Sequence, residues 1–293
     1  MAAISASRAN SRGTAEAAVL DLSHGDGSAM TNSAPHFVKR NANAPRDFFG
    51  CEAAGLRWLG AVDGGVPCVR VIRHDATSLT LERLAPVRPD RAAAHEFGRR
   101  LARTHDAGAR RFGAAPDGWT GPGFFGPLDQ PLPMAYSVDR SWGRFYAAHR
   151  LVPMVERAGS LLNRVVREAI AEVVKRCENG DFDDGDQPSR LHGDLWSGNV
   201  MWTAQGVVLI DPAAHGGHRE TDLAMLALFG CPFLGAVIDG YQTQNPLRAG
   251  WQARVPLHQL HPLLAHVVLF GSGYVRGVAD AADAALALDA PHG

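Results

Sequence analysis

A carboxylate, an amide five residues later and a second carboxylate closing the next apolar run stand close together in this chain. They are Asp194, Asn199 and Asp211, within Leu191-His192-Gly193-Asp194-Leu195-Trp196-Ser197-Gly198-Asn199-Val200 and the following Val207-Val208-Leu209-Ile210-Asp211-Pro212. Asn199 to Trp202 reads as a strand, Thr203 to Gly206 as a turn and Val207 to Ile210 as the return strand. A hairpin brings its open ends together, so Asn199 and Asp211 become approximate cross-strand neighbours with Cβ atoms roughly 5 Å apart. An amide oxygen and a carboxylate at that separation can share Mg2+, which prefers hard oxygen ligands. Asp194, on the loop leading in, then lies beside the metal and can accept a proton from a hydroxyl. The competing reading is a surface hairpin with polar ends; the spacing, the apolar strands and the glycine positions together argue against it.

The same spacing matches the catalytic loop and metal-binding Asp of kinase-like phosphotransferases, whose chemistry also needs a cation aimed at the phosphates. Lys39, on a strand from Phe37 to Arg40, is the candidate. Pro45 can open a helix running to about Gly60, with Phe48, Phe49, Glu52, Leu56 and Leu59 on one stripe. Glu52 then sits among apolar neighbours, where an ionised carboxylate is costly unless paired, and Lys39 is its natural partner. The alternative is that Glu52 reaches solvent and Lys39 is a surface residue. Ahead of these, Val19 to Leu22 reads as a strand leading into Ser23-His24-Gly25-Asp26-Gly27-Ser28. Backbone N–H groups at Gly25, Gly27 and Ser28 could lie against phosphate; an ordinary hairpin turn reads those residues equally well.

Two further strands, Pro67 to His74 and Ser78 to Glu82, run into Glu82-Arg83-Leu84-Ala85-Pro86, where the alternation breaks. A hinge is expected here, with backbone groups of Glu82 to Leu84 free to hydrogen-bond an adenine; a plain loop is the alternative. A helix is expected from Arg91 to Ala107, with His105 a satisfied core histidine. The Gly- and Pro-rich stretch 113–140 reads as a long loop bordering a binding site. Helices follow over Trp142 to His149 and Gly159 to Asn179, the latter turning Leu161, Leu162, Val165, Val166, Ile170, Val173 and Cys177 inward. Asp181 to Asp186 reads as a solvated acidic loop. His215 and His218 lack a third ligand at any zinc-site spacing. Thr221 or Asp222 can cap the next helix. The remainder reads as helical core through Trp251 and Leu263 to Phe270, with a terminal helix from Ala279 to Leu288.

Length and composition bound the function. The chain has 293 residues, 46% hydrophobic and 20% charged, with a formal net charge of −1. That is enough for one large domain or a two-lobed unit, and the charge supplies no electrostatic reason for nucleic acid or an anionic membrane. No apolar run approaches the ~20 residues needed to span a bilayer. Cys51, Cys68, Cys177 and Cys231 are scattered without metal-type spacing, so reduced thiols in a cytoplasmic protein are expected. The first 18 residues have no apolar signal core and read as a disordered tail.

The sequence resembles the fructosamine kinase (ketosamine-3-kinase) family, relatives of the aminoglycoside phosphotransferases. The matching stretches are FVKRN (37–41), CEAAGLRWL (51–59), LERL (81–84), LHGDLWSGNV (191–200), LIDPA (209–213) and GHRETDLAML (217–226), with Gly250-Trp251 beyond. The Trp directly after Asp-Leu separates this family from choline and homoserine kinase relatives. The resemblance implies an α+β, two-lobed protein-kinase-like fold, with a nucleotide-binding N-lobe over 19–84 and a catalytic C-lobe over 85–293. It implies ATP- and Mg2+-dependent phosphorylation of O3 of a ketosamine, the substrate being a small glycated amine or a glycated lysine. Asp194 then matches the catalytic base, Asn199 and Asp211 the metal ligands, Lys39 the phosphate-binding Lys and Glu52 its partner. Trp196 matches the aromatic that packs on the sugar-amine, while His192 and Asp222 support the loop. The loop SHGDGSAMTNSAPHF is shorter between its glycines and Lys39 than the resemblance predicts. An aminoglycoside or choline-type kinase and a nucleotide-binding pseudokinase are the alternatives. Gly271-Ser272-Gly273 lacks the nucleophile-elbow pattern of a serine hydrolase.

Overall fold

The computed structural model describes residues 36–289. The expected strand at Val19 to Leu22 and the turn with Gly25, Gly27 and Ser28 lie outside the described residues.

The first described strand, β1 (His36–Arg40), joins a three-stranded antiparallel sheet in the order β1-β3-β2 with β2 (Val71–His74) and β3 (Ser78–Glu82). Lys39 faces Leu79 across the ladder. Against this sheet lies α1 (Phe48–Gly60), whose Phe49, Leu56 and neighbours bury with Leu79 and Leu81. The helix starts three residues later than the Pro45 signal suggests. The Pro45 carbonyl accepts the Phe48 N–H, and Asp47 takes a left-handed conformation (φ 67°) that precludes an earlier helical start.

The strand expected from Pro67 is shorter than its apolar pattern. Only Val71–His74 pairs with β3; residues 67–69 turn away and bond Leu209, with Val69 N–H donating to Leu209 O and Leu209 N–H to Pro67 O. After α2 (Arg91–Asp106) comes a short hairpin inside the Gly/Pro-rich stretch, β4 (Gly123–Phe125) with β5 (Leu132–Met134). The single helix expected from Trp142 is three segments. These are α3 (Trp142–Tyr146), a wider π turn over Ala147–Leu151 and α4 (Val152–Ala158), with Pro153 in the first turn of α4. Next, α5 (Arg164–Asn179) begins only after Asn163 accepts the Val166 N–H as its cap, not at Gly159. Leu161 and Val165, expected inside, are exposed because they precede or open that helix, whereas Val166, Ile170, Val173 and Cys177 are buried.

The remaining elements are β6 (Ser189–Leu191), β7 (Val200–Thr203), β8 (Gly206–Leu209), β9 (His215–Gly217), α6 (Arg219–Phe229), α7 (Leu234–Gln244), α8 (Trp251–Phe270) and α9 (Val275–Leu286). Strands β7 and β8 form one antiparallel pair and β6 and β9 another. One core joins α3, α4, α5, α8 and α9 through Leu151, Ile170, Val173, Leu260 and Leu264; a second joins α2 and α7 to the β7-β8 hairpin through Leu101, Tyr241, Leu195 and Leu209. At the α2–α7 crossing a Cβ on Gly98 or Gly240 would collide with the facing backbone, so these glycines set the close approach. Among the described residues no helix is long and apolar enough to cross a membrane.

The acidic loop departs most from expectation: Asp184 and Asp186 are not solvated. Asp186 accepts from Arg219 and Arg248 at 2.6 Å each, and His218 Nε2 lies 3.2 Å from Asp184. Arg254 grips Glu220 through Nε at 2.9 Å and Nη2 at 2.5 Å. His218 therefore belongs to an ion network, while His215 points back to the Ala213 carbonyl at 2.8 Å. Burial alone would raise the Glu220 pKa, but bonds from His258 and Arg254 outweigh it and hold the carboxyl at about 2. A depressed carboxylate stabilises the fold above its ordinary value near 4.5, and that contribution is lost as pH falls through its folded value. Urea midpoints should thus fall as pH drops from 4.5 towards 2, and the drop should shrink in Glu220→Gln.

Candidate active site

Polar side chains from β1, α1, the β6–β7 loop and the end of β8 meet at one place. Lys39 Nζ lies 2.8 Å from Glu52 Oε1 and 2.5 Å from Asp211 Oδ1. The strand Lys and helix Glu are paired as the amphipathic stripe implied, and both are nearly buried. Burial pulls the Lys39 pKa down, but Glu52 and Asp211 together outweigh it and the net shift is upward, so the ammonium keeps its charge. Burial pushes Glu52 up, with Lys39 opposing.

The β7-β8 hairpin keeps the register of the sequence reading, but each strand lies one residue nearer the turn. Its ladder runs from Val200↔Leu209 to Thr203↔Gly206, leaving a two-residue turn. Asn199 closes a 3-10 turn (Ser197–Asn199) instead of opening the strand, and Asp211 sits past the ladder at φ 56°. The two are still brought together, though not as a facing ladder pair. Ile210 N–H donates to Asn199 O at 3.2 Å, and Asn199 Nδ2 reaches Asp211 O at 3.4 Å. Asp is among the few non-glycine residues that tolerate the left-handed region.

Asn199 Nδ2 also donates to Asp194 O at 2.8 Å and Asp194 Oδ2 at 3.1 Å. With the N–H groups of Asn199 committed there, its amide oxygen is the atom left to serve as a hard ligand. The Asp211 carboxylate, whose side chain is 38% exposed, shares one oxygen with Lys39 and has a second. One amide oxygen and one carboxylate, next to space open to solvent, suit a Mg2+ that keeps water and phosphate among its ligands. Burial, then the Asp211 carboxylate, pushes the Asp194 pKa up to about 7, against the bond from Asn199. A carboxylate poised there can take a hydroxyl proton near neutral pH.

The loop carrying Asp194 is held from below. Asp222, buried on α6, accepts the backbone N–H of His192 at 2.8 Å and of Gly193 at 2.9 Å. His105 Nε2 lies 3.2 Å from the same carboxylate, and its Nδ1 lies 2.8 Å from Tyr241 Oη. These bonds, and not helix capping, are what Asp222 provides; the α6 cap is His218, which accepts the Glu220 N–H. His192 Nδ1 accepts the Asp194 N–H, so Nε2 carries the proton donated to Ile210 O at 2.8 Å. That one ring ties the Asp194 loop to the strand end before Asp211. Gly193 has φ 79°, and a Cβ there would strike the Ala213 carbonyl. Trp196 is half-buried and lies over Gly198, where a Cβ would enter its ring.

The hinge expectation changes at Glu82. Its N–H donates to Arg70 O at 3.0 Å and its carboxylate accepts the Arg70 N–H at 2.9 Å, so that backbone donor is already used. Leu84 is half-buried against the β1–α1 core. Sequence reasoning found His105 as a satisfied core histidine but not its partner Asp222, which lies 117 residues away.

Removing the Asp222 carboxylate strands two buried N–H groups and a histidine. Asp222→Ala should destabilise the protein by about 3–5 kcal/mol, as for breaking a buried charged network. Urea unfolding measures this, and amide exchange at His192 and Gly193 should quicken beyond the global change.

The comparisons with known proteins follow the same geometry. A family model described as fructosamine kinase matches residues 16–287. A "Probable ketoamine kinase" of Synechocystis is 35% identical over 82% of this chain and 79% of its own length. One of Enterococcus faecium is 32% identical, covering 83% and 85%. The crystal structure of a "putative fructosamine-3-kinase" from Thermobifida fusca superposes with TM-score 0.79 at 44% identity, covering 86% of each chain. The aminoglycoside phosphotransferase APH(4)-Ia, at 19% identity, TM-score 0.53 and coverage of 86% and 87%, shares the protein-kinase-like fold. A family match along nearly the whole chain, with relatives 32% and 35% identical over more than four-fifths of it, establishes that this protein belongs to the fructosamine kinase family.

Proposed function

We propose that this protein transfers the γ-phosphoryl group of ATP to the O3 hydroxyl of a ketosamine, a ketose joined to an amine or a lysine. The observation that supports this best is the contiguous set Lys39–Asp211–Asn199–Asp194, each linked to the next by hydrogen bonds in a family-matched chain. Phosphoryl transfer asks little covalent chemistry of the protein and depends on placing charges and reacting atoms.

In this reading Asp194 Oδ accepts the proton of the attacking hydroxyl while the bond from the γ-phosphorus to the bridging oxygen breaks and ADP leaves. Lys39, aimed by Glu52, holds phosphate oxygens. Asn199 and Asp211 would hold Mg2+, which when bound would neutralise phosphate charge. His192 and Asp222 fix the loop so that the Asp194 carboxylate does not drift. Trp196 offers a flat face for the sugar-amine. The backbone beside Leu84 would face the adenine of the nucleotide. Glycated amines and lysines as acceptors would make the product a phosphorylated ketosamine, as deglycation of proteins or processing of glycated metabolites requires.

ADP release with Mg-ATP across ribulose-lysine, erythrulose-lysine, fructose-lysine, choline and an aminoglycoside tests the reading; turnover should be confined to the ketosamines. Asp194→Asn should lower kcat by roughly 10²–10⁴-fold, the range for losing a general base, with nucleotide binding retained. Lys39→Met should cost kcat by roughly 10²-fold or more through lost charge stabilisation. Turnover of choline alone, or wild-type rates in Asp194→Asn, would defeat the substrate or the base assignment respectively.

A further inference from the structure

The Gly- and Pro-rich stretch after α2 runs along the helix that carries Glu52. Its root is tied to β9, where the Gly113 N–H donates to Gly216 O at 2.7 Å and the Gly216 N–H to Ala114 O at 2.8 Å. From there it meets α1 at successive points. Asp117 Oδ2 accepts the Trp58 Nε1–H at 3.0 Å. The Trp119 ring lies against Gly50, where a Cβ would come within 2.9 Å of it. Phe124 meets Phe48 edge to face with 5.6 Å between ring centres, and Tyr136 Oη lies 3.4 Å from Cys51 Sγ.

The same helix is gripped from β6 and from the segment after Asp211. Arg190, on β6, donates through Nη1 to the Trp58 carbonyl at 3.0 Å. Its guanidinium lies 4.8 Å from the Trp58 ring centre, and its Nη2 lies 3.7 Å from Asp117. Gly55 faces Ala214 and Pro212, where a Cβ would stand 3.0 and 3.3 Å from their side chains. Asn41, two residues after Lys39, donates to the Leu128 carbonyl at 2.7 Å, so the stretch also holds the end of β1. A buried ion pair such as Lys39–Glu52 is a poor anchor for a helix. Its mutual attraction only about offsets the cost of taking both charges out of water, so its geometry must be set by other contacts. Here those contacts run from the first residue of α1 to its last turn.

We propose that the stretch from Gly113 to Tyr136 is a strap that keeps α1 in its Lys39-paired seat with or without nucleotide, and that Asp117 and Arg190 are positioning residues whose effect on phosphate binding passes through Glu52. This rests on the kinase reading, in which Lys39 aimed by Glu52 holds phosphate oxygens, and deepens it by naming what aims Glu52. Glu52 stands between the two grips: Cys51 beside it is covered by Tyr136, and Trp58 further along is held by Asp117 and Arg190. A swing of α1 away from Lys39 breaks these bonds and parts Trp119 and Ala214 from the glycines they abut.

The test reads the seat of α1 through Cys51, buried next to Glu52, by following its alkylation with N-ethylmaleimide in the native protein by mass spectrometry. Cys177, buried in the helical core, reports global unfolding in the same sample. In the wild type the Cys51 rate relative to Cys177 should be the same with and without Mg-ATP. Cys51 should react about 3- to 10-fold faster in Arg190→Leu and in Asp117→Ala, with Cys177 unchanged, as for losing a hydrogen bond that holds a local opening shut. Should Arg190→Leu fail to fold, Asp117→Ala carries the test, because the Asp117 side chain is exposed. Turnover of ketosamine should fall in Asp117→Ala, and should fall no further when Asp117→Ala is added to Glu52→Gln, since both changes act on one pair. An unchanged Cys51 rate in the variants overturns the strap, and a wild-type Cys51 rate that drops selectively on adding Mg-ATP overturns its independence of nucleotide. Additive losses of turnover overturn the route through Glu52. Absence of ketosamine turnover in the wild type sinks the kinase reading, while the labelling rates still decide the strap.

Discussion

A carboxylate shut away from water must be met by donors, and at Asp222 the donors are the backbone of the very loop that carries Asp194. His192 and Gly193 give it their N–H groups, and His105 braces it from α2. A loop is ordinarily the least determined part of a fold. Here its position is as fixed as that of α6, because moving it would leave a buried charge and two buried N–H groups unanswered. The need for φ > 0 at Gly193 and the two bonds of the His192 ring then pass that position on to Asp194 and to the Asp211 turn.

Around this anchor the charges are arranged in opposition. The Asp211 carboxylate lies close enough to push the Asp194 pKa up, while Lys39 bonds both Asp211 and Glu52. The far side of α6 meets a separate network of Asp184, Asp186, Arg219, Arg248 and Arg254, in which opposite charges are nearly matched. Arg150, in the π turn, is a buried cation with no acidic partner among the described residues, its Nη1 donating to the carbonyls of Ala135 and His149.

What was legible in the sequence was what is local or periodic. The Asp194, Asn199 and Asp211 set lies within one hairpin and its flanks, and the Lys39–Glu52 pair is betrayed by an acid on an apolar helical stripe. The one-residue shift of the strand start past Asn199 was not legible, because the preference of Ser197-Gly198-Asn199 for a tight turn competes with the apolar alternation that follows it. The burial of Asp184 and Asp186 was hidden for another reason. Their cationic partners lie on α6, near Arg248 and on α8, so the stretch alone shows only acidity, which by itself reads as solvated. Arg150 could not be read at all, since its acceptors are main-chain carbonyls that every sequence possesses.

The detour of residues 67–69 has a mechanical meaning. By hydrogen-bonding Leu209 on both its N–H and its carbonyl, this segment splices the strand that leads to Asp211 onto the chain entering the β1-β3-β2 sheet. Val87 adds another stitch, donating to Trp202 O at 2.8 Å. Lys39 and Asp211 thus ride on one rigid chassis although they are far apart in sequence. An opening of the molecule on its helical side would leave the Lys39 ammonium and the Asp211 carboxylate at their present spacing.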